Sequence, residues 1–472
     1  MGDIGRVLNT SREAILSHLT ALNVTGNNIA NVDTPGYSRL RAVFGSVGVI
    51  DSSQEQGQFG VKITAIERLY DKYLEASMVR QEQEVGYNRA QSDVLNRVEG
   101  IFNESSGGGI NELLSKFWDS WSELSANPTG ITERDNLVSV SQSLASMFRQ
   151  KANELINIQG DTNTLISDTV TQLNQYLDTM ADLNDKIAQI EISGGNAASL
   201  RDQRAELLQK IGKTIDVNYY EEADGSLNIF ISNGRSLVEG INVWKLDVED
   251  NPANSNYYDI VFEDTPTVAI NDRLRGGTLA GLLDVRDKIY VWDPSTGQYN
   301  GYLSDLNTMA ATIINTVNTQ HSSGYDLDGN VGGDFFSTAS TLAKDMFVSS
   351  SIAANVRQIA ASATVNRDGQ NASFINAIKD DSMLMAGGTA TIDNFYQTLM
   401  ARIGNDVASS QRSLDQQTYV LNQIESQREA VSGVSIDEEM LNMIKYQAGY
   451  NAAARLAGVI SEMMDVLINL GK

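Results

Sequence analysis

The chain has 472 residues, a formal net charge of −25 and no cysteine. This length is enough for about three domains, and the acidity argues against binding to nucleic acid or anionic lipid. Without cysteine, disulfides, thiolate nucleophiles and thiolate metal sites are excluded. The first residues show no basic segment followed by an apolar one, so we expect no cleaved secretory signal. No apolar run approaches the ~20 residues that span a bilayer.

The N-terminal segment has the pattern of an amphipathic helix. An apolar residue recurs every seven positions, at Leu8, Ile15, Leu22 and Ile29. Asn31 follows this stripe, and Pro35 with Gly36 predicts that the helix ends there in a turn.

The middle of the chain predicts one very long helix. Between Glu133 and Ile192 apolar residues recur at steps of three and four without a proline. Such a helix would be ~90 Å long at the usual rise per residue. The glycines in Ser193–Asn196 are typical of a helix C-terminus. A segment of this length favours an elongated molecule.

The remaining segments are mixed in character. Residues 215–270 carry strand-like alternation and hairpin-turn dipeptides, which predict a small β-rich insertion. Helical patterns return at 278–283, at 303–317 and at 391–431. The stretch 322–373 is rich in Ser, Gly, Ala and Asn and gives no clear assignment.

The C-terminal segment carries a second heptad-like stripe. Its apolar residues follow a 4-3-4-3 spacing, at Leu456, Ile460, Met463, Leu467 and Leu470. Two interpretations stay open for the chain ends: two ordinary core-facing helices, or two helices that pair with each other. The predicted fold is mainly α with a small β-rich insertion. It is an elongated multidomain rod in which the N- and C-terminal helices pair as a coiled coil.

The sequence contains no complete catalytic or ligand-binding pattern. His18 and His321 do not begin a metalloprotease motif, and we expect them to be packed or solvated. Gly212–Thr214 lacks the first glycine of a phosphate-binding loop, and Asp326–Asn330 lacks the later ligands of a calcium loop, so a turn is favoured there. Trp118, with Trp121 one turn on, is expected in a core. The sequence predicts no catalytic residue, cofactor or metal, and no enzyme.

Several segments resemble one family. Residues 27–37, Asn-Asn-Ile-Ala-Asn-Val-Asp-Thr-Pro-Gly-Tyr, resemble the N-terminal signature shared by flagellar rod, hook and hook-associated proteins, in which Tyr37 docks the turn. Further segments are similar to the hook-associated branch of that family: Arg68–Asp71, Phe117–Trp118 with Arg134, Leu200–Arg204, Arg286–Asp287 and Ser432–Glu439. The likeness extends over most of the chain and is loose in the β-rich insertion.

The resemblance implies a nested architecture. Residues 1–37 with 432–472 would form an inner coiled-coil domain, and 38–214 with 276–431 a helical rod domain. Residues 215–275 would form an outer β-rich insertion. The implied function is a structural subunit that joins hook to filament.

The resemblance also implies how such a subunit is exported, where it is located and which proteins it contacts. It would be secreted by flagellar type III export and located in the extracellular flagellum at the hook–filament junction. Its partners would be the hook protein, the second junction protein, an export chaperone and further copies of itself in a ring, with no nucleic acid and no membrane insertion.

The terminal segments supply the expected contact residues. We expect subunit packing through Leu8, Ile15, Leu22, Ile29, Asn31, Pro35, Gly36, Tyr37, Tyr446, Tyr450, Leu456, Ile460, Met463, Leu467 and Leu470. We expect chaperone binding through Met440, Met443, Ile444, Ile460 and Leu467. A hook or distal rod protein is the alternative within this class. A surface adhesin is the alternative from another class, with Tyr219, Tyr220, Tyr257 and Tyr258 as candidate contacts.

Overall fold

The computed structural model describes residues 2–47, 60–103, 108–232, 234–385 and 387–470. The helices in these ranges are α1 (Gly2–Ala30), α2 (Lys72–Phe102), α3 (Ile110–Ala126), α4 (Ile131–Ile192), α5 (Ala198–Thr214), α6 (Gly277–Ile289), α7 (Tyr302–Ser322), α8 (Ser350–Ala354), α9 (Gln370–Ala377), α10 (Ile392–Ser432) and α11 (Ile436–Leu470). The strands are β1 (Leu40–Val47), β2 (Gly60–Arg68), β3 (Val217–Glu221), β4 (Leu227–Ile231), β5 (Ser236–Glu239), β6 (Asn242–Val243), β7 (Leu246–Asn251), β8 (Tyr257–Phe262), β9 (Val291–Asp293) and β10 (Gln298–Asn300). A mainly helical chain with a small β-rich part is confirmed.

The chain divides into two compact units. Unit 1 contains Met1–Gln83, Leu173–Lys245 and Gln417–Lys472, and unit 2 contains Glu84–Gln172 and Leu246–Gln416. The strands of the β-rich stretch belong to both units. Strands β3 to β6 form a four-stranded antiparallel sheet in unit 1, whereas β7 and β8 form a hairpin in unit 2. The division into three domains stays a prediction.

The long helix predicted from the apolar spacing is confirmed as α4. It ends as predicted at glycine: Gly194 has a φ of +78°, its N–H donates to Glu191 O, and the N–H of Gly195 donates to Ile190 O. This pair of hydrogen bonds satisfies the last carbonyls of the helix. The helical patterns at 278–283, 303–317 and 391–431 are confirmed as α6, α7 and α10.

Unit 2 has a core of aromatic side chains between α3, α7 and the loops after α7. Trp121 and Phe335 are fully buried, with ring centroids 5.1 Å apart, and Phe117 packs on both of them. The prediction that Trp118 and Trp121 are core residues is confirmed. Each such side chain removes a large apolar area from water, so this region holds itself together.

His321 lies inside this aromatic core as a structural side chain. Its Nδ1 is 2.6 Å from Gly333 O, and its Nε2 accepts a hydrogen bond of 2.8 Å from the N–H of Ala360. These two bonds fix a neutral tautomer. Burial lowers the pKa of His321 to about 4. The histidine therefore ties the two loops to α7.

Two buried arginines bind main-chain carbonyls in unit 2. Arg134 donates to Ile359 O at 2.7 Å and to Pro128 O at 2.6 Å, and burial lowers its pKa to about 10. Arg286 donates to Tyr258 O at 2.6 Å. Both residues come from the segments that resemble the hook-associated branch. In this unit they hold neighbouring segments together by binding main-chain carbonyls.

Candidate assembly surface

The two terminal helices pack against each other in unit 1, as the paired interpretation predicts. His18, in the middle of α1, lies beside Tyr446 of α11 with ring centroids 6.4 Å apart. Beyond the end of α1, Arg39 binds Glu439, near the start of α11, at 2.7 Å. Since the end of α1 is near the start of α11, the two helices are antiparallel.

The two helices lie close together at Gly449. A Cβ built on Gly449 would lie 2.5 Å from the ring of His18, a distance that real side chains do not reach. The imidazole therefore occupies the space that any larger residue at 449 would need. Burial lowers the pKa of His18, which is consistent with its packed position.

The β1–β2 hairpin supports the helix pair. Ala21 and Val24 of α1 pack with Ala42 of β1, and Phe44 stacks on Tyr446 with centroids 5.6 Å apart. The Ser17 hydroxyl donates to Val61 O at 3.1 Å. The hairpin, α1 and α11 therefore share one small core, in which Phe44 of the hairpin contacts α11 directly.

The signature segment forms the joint between α1 and the hairpin. The Asn28 side chain accepts from the N–H of Leu40 at 2.9 Å, donates to Leu40 O at 2.8 Å, and accepts from the Tyr37 hydroxyl at 2.8 Å. Gly36 has a φ of +79°, which favours glycine. The prediction that Tyr37 docks the turn is confirmed, and Asn28 is the residue that receives it.

Four ion pairs connect this joint to distant parts of unit 1, and Arg39 forms two of them. Arg39 binds Glu439 at 2.7 Å and Glu438 at 2.6 Å, and its N–H donates to Ser432 O. The other two pairs are Arg428 with Glu75 at 2.7 Å and Arg68 with Asp202 at 3.2 Å. Sequence analysis did not find these pairs, although several of their members lie in the segments that carry the resemblance.

The N-terminal stripe is only half-buried. The residues concerned are Leu8, Ile15, Leu22 and Ile29. Asn31, Gly36 and Tyr37 are also half-buried, whereas Pro35 is exposed. The role of all these residues in packing between subunits stays a prediction.

The C-terminal stripe is corrected by the structure. The face that packs on α1 follows a heptad line through Tyr446, Tyr450, Ala453, Ala457, Ile460 and Met464. Leu456 and Met463, which sequence analysis placed on the same face as Ile460, are 46% and 57% exposed. The predicted heptad stripe was wrong because it was drawn through the largest apolar side chains. The residues that face α1 include the small side chains of Ala453 and Ala457. The side chains of Leu467 and Leu470 lie outside the described residues.

The outer side of α11 is a second apolar face. Its large exposed side chains are Leu441, Ile444, Leu456, Val459, Met463 and Val466. At about 100° per residue, Leu441, Ile444, Val459 and Val466 fall opposite the line that packs on α1, and Leu456 and Met463 fall on the flank between the two. These large apolar side chains therefore remain in contact with water in the folded chain.

The residues predicted to bind a chaperone are divided between the two faces. Met440 and Ile444 are exposed, Met443 is half-buried, and Ile460 is buried in the helix pair. Leu467 has no described side chain. A chaperone could therefore contact Ile460 only when α11 is separated from α1.

The patterns set aside by the sequence analysis have local structural roles. Asp326 Oδ1 accepts from the N–H groups of Asp328 and Asn330, which confirms a turn there. Gly212–Thr214 lies in the last turn of α5. The tyrosine pairs at 219–220 and 257–258 lie in different units, on β3 and β8.

No helix in the described ranges is both long and apolar enough to cross a membrane. In the same ranges, no three carboxylate or imidazole side chains converge as a metal site.

The chain matches protein-family models along most of its length. The "Flagellar hook-associated protein FlgK helical domain" model matches residues 95–336. The ends match rod models: "Flagella basal body rod protein" at residues 8–37 and "Flagellar basal body rod FlgEFG protein C-terminal" at residues 425–470.

Individual proteins give the same picture. Flagellar hook-associated protein 1 of Bacillus subtilis is 28% identical, with 98% of this chain and 97% of that protein covered. The protein of the same name from Salmonella typhimurium is 22% identical, with 98% and 99% covered. The solved structure of the flagellar hook junction protein FlgK from Burkholderia pseudomallei has a TM-score of 0.66 at 16% identity. It covers 75% of this chain and 100% of that chain, and supports the fold alone.

Proposed function

The chain belongs to the flagellar hook-associated protein FlgK family, and from this premise we propose that it is a structural subunit that joins hook to filament. The observation that carries the proposal is that α11 has apolar side chains on two sides. One face packs on α1 through Tyr446 and Ile460, and the opposite face exposes Leu441 and Val459. A subunit whose terminal pair is enclosed by neighbouring subunits would bury that second face.

A chain of this family works with other flagellar proteins and belongs to the extracellular flagellum. We propose more specifically that it contacts the hook protein on one side and the second junction protein on the other, in a ring of its own copies. The packing residues would be the terminal stripes, including Leu8, Ile15, Leu456 and Met463. This role needs no catalytic residue, and a structural family is consistent with a protein that is not an enzyme.

We propose that an export chaperone covers α11 before type III secretion. Met440 and Ile444 are exposed even in the folded chain, so they can be recognised first. Ile460 becomes accessible only if α1 is displaced. A chaperone that separates the pair would therefore bind more apolar surface than one that binds the folded chain.

A hook or distal rod protein is the second candidate, because the rod models match both termini. Deleting the gene in the source bacterium distinguishes the two. A junction subunit predicts cells with complete hooks and no filaments in electron micrographs, with filament monomer released into the medium. Loss of the hook itself would favour the second candidate, and normal filaments would overturn both.

Complementation of the deletion strain then tests the outer side of α11. The unsubstituted chain should restore filaments, whereas Met463→Ser should not, since a polar group would interrupt the outer face of α11. Tyr419→Ser is the matched control, because Tyr419 is an exposed side chain of α10 in the same unit.

A further inference from the structure

Unit 1 contains a groove of about 1070 Å³ away from the terminal helix pair. Its walls are β2, the start of α2, the end of α4, α5 and β3. We call it the tyrosine groove, after Tyr70, Tyr73 and Tyr219, which line it. Val79 and Leu208 are buried beneath it. The groove is therefore a preformed, largely apolar depression with hydroxyl groups along its walls.

The charges inside the groove are already paired within unit 1. Arg201 binds Glu191 and Glu221, and Arg204, which is buried, also binds Glu221. Arg68 stacks on the ring of Tyr70 at 4.2 Å. These groups need no ligand to be satisfied, so the floor is fixed before anything binds.

The charges at the edge of the groove are different. Lys72 and Arg80 form no ion pair with a carboxylate among the described residues, although both line the groove. Lys72 lies 5.4 Å from the ring of Tyr73, and Arg80 Nε donates only to Ala76 O at 3.3 Å. Both side chains are exposed, and Glu222 and Asp224 line the neighbouring pocket beside Lys72. This edge of the groove suits an occupant with both apolar and acidic side chains.

The start of α11 has this chemistry. Met440 and Leu441 are exposed apolar side chains, and Asp437 is an exposed carboxylate with no basic partner in the described part of the chain. Within one molecule this segment does not line the groove, because Glu438 and Glu439 hold it at Arg39. A carboxylate and two apolar side chains on neighbouring turns match a groove with a basic edge.

We propose that the tyrosine groove of one copy receives the first turns of α11, residues 436–444, from a second copy. Leu441 and Met440 enter between Tyr70 and Tyr73, and Asp437 faces Lys72 and Arg80. The inference rests on the proposed function, since a ring places copies side by side. It adds to that function a specific contact outside the terminal stripes.

The absence of cysteine allows a direct test. Tyr73→Cys and Leu441→Cys are made in separate full-length chains, at positions that are 74% and 68% exposed. Both chains are expressed together in the deletion strain, and isolated flagella are treated with a short bis-maleimide. We expect a covalent dimer of this chain. Ile241→Cys, at a position 66% exposed in unit 1 but outside the groove, replaces Tyr73→Cys in the control and should give none.

Charge reversal tests the basic edge. Lys72→Glu with Arg80→Glu should lower the yield of dimer about two- to fivefold, as expected for the loss of exposed ion pairs. Adding Asp437→Lys to the partner chain should recover part of that loss. An unchanged yield would contradict the assigned orientation.

The outcomes separate this proposal from the proposed function. Normal filaments with no dimer from Tyr73→Cys and Leu441→Cys overturn the groove contact and leave the junction role standing. A product in which Tyr73→Cys is joined to another flagellar protein also overturns the second copy as occupant. If the unsubstituted chain restores no filaments, the junction role is wrong. The same two purified chains, mixed at high concentration, then decide the groove by whether they form the dimer.

Discussion

The terminal helix pair of unit 1 and the aromatic core of unit 2 bury their apolar residues in different ways. In unit 2, Trp121 and Phe335 are fully enclosed by their own chain. In the terminal pair, Ala453 and Ala457 face inward, while Leu456 and Met463 face solvent. Because apolar burial is the main driving force for folding, unit 2 has what it needs within the chain. The terminal pair leaves much of its apolar surface for neighbours.

The largest expected effect is in the aromatic core. Trp121→Ala should reduce the free energy of unfolding by about 3–5 kcal/mol, because it leaves a cavity among rings that cannot collapse. Urea unfolding followed by circular dichroism measures this loss. Leu456→Ala is the matched change on the outer face of α11 and should cost less than about 0.5 kcal/mol. Equal losses of unfolding free energy would mean that the aromatic core and the outer side of α11 contribute equally to the stability of the isolated chain.

The next effect concerns the joint beneath the helix pair. Glu75→Ala should cost about 3 kcal/mol, since it leaves the guanidinium of Arg428 buried without its carboxylate partner. Combining it with Arg428→Met should recover part of the loss. A double-mutant cycle measured by urea unfolding gives the coupling energy, and strict additivity would show that the pair contributes nothing.

A pH dependence is expected in unit 2. Burial holds the pKa of His321 at about 4, below the value near 6.5 of an unfolded histidine. The unfolded chain therefore takes up the proton first. This stability contribution is intact above about pH 6.5, declines as pH falls, and is fully lost below pH 4, with a total of up to about 3 kcal/mol.

Comparing unfolding at pH 7 and pH 5 in the parent and in His321→Gln tests this assignment. The substitution lowers stability at both values because the two loops lose a bridge. The substitution should also reduce the difference in the free energy of unfolding between pH 7 and pH 5. An unchanged difference would assign the acid sensitivity to other groups.

The smallest of these effects tests the closeness of α1 and α11. Gly449→Ala should weaken the pair by about 1–3 kcal/mol, because its Cβ would overlap the His18 ring. Gly458→Ala is the control on the same helix. It meets open space and should stabilise α11 by up to about 1 kcal/mol. Amide hydrogen exchange across α1 reports both changes, and equal exchange rates in the two variants would argue against the antiparallel contact.

Local patterns were enough to predict α4, α10 and the helical character of both ends. The hairpin of β1 and β2 was not predicted, because neither strand alternates cleanly between buried and exposed residues. The pairing of Arg39 with Glu439 joins positions 400 residues apart, and no local spacing indicates it. The inner face of α11 was misplaced because alanine gives a weak hydrophobic signal, even where it permits the closest packing.

The antiparallel pairing of α1 with α11 also determines the order of events while the chain is made. Residues of α1 leave the ribosome before those of α11, and more than 400 positions separate the two helices. Throughout synthesis the first helix has no partner, whereas the segments of unit 2 can find theirs much earlier. Contacts between such distant positions also form slowly. During synthesis the chain therefore passes through a long interval in which the aromatic core of unit 2 can form while α1 remains unpaired.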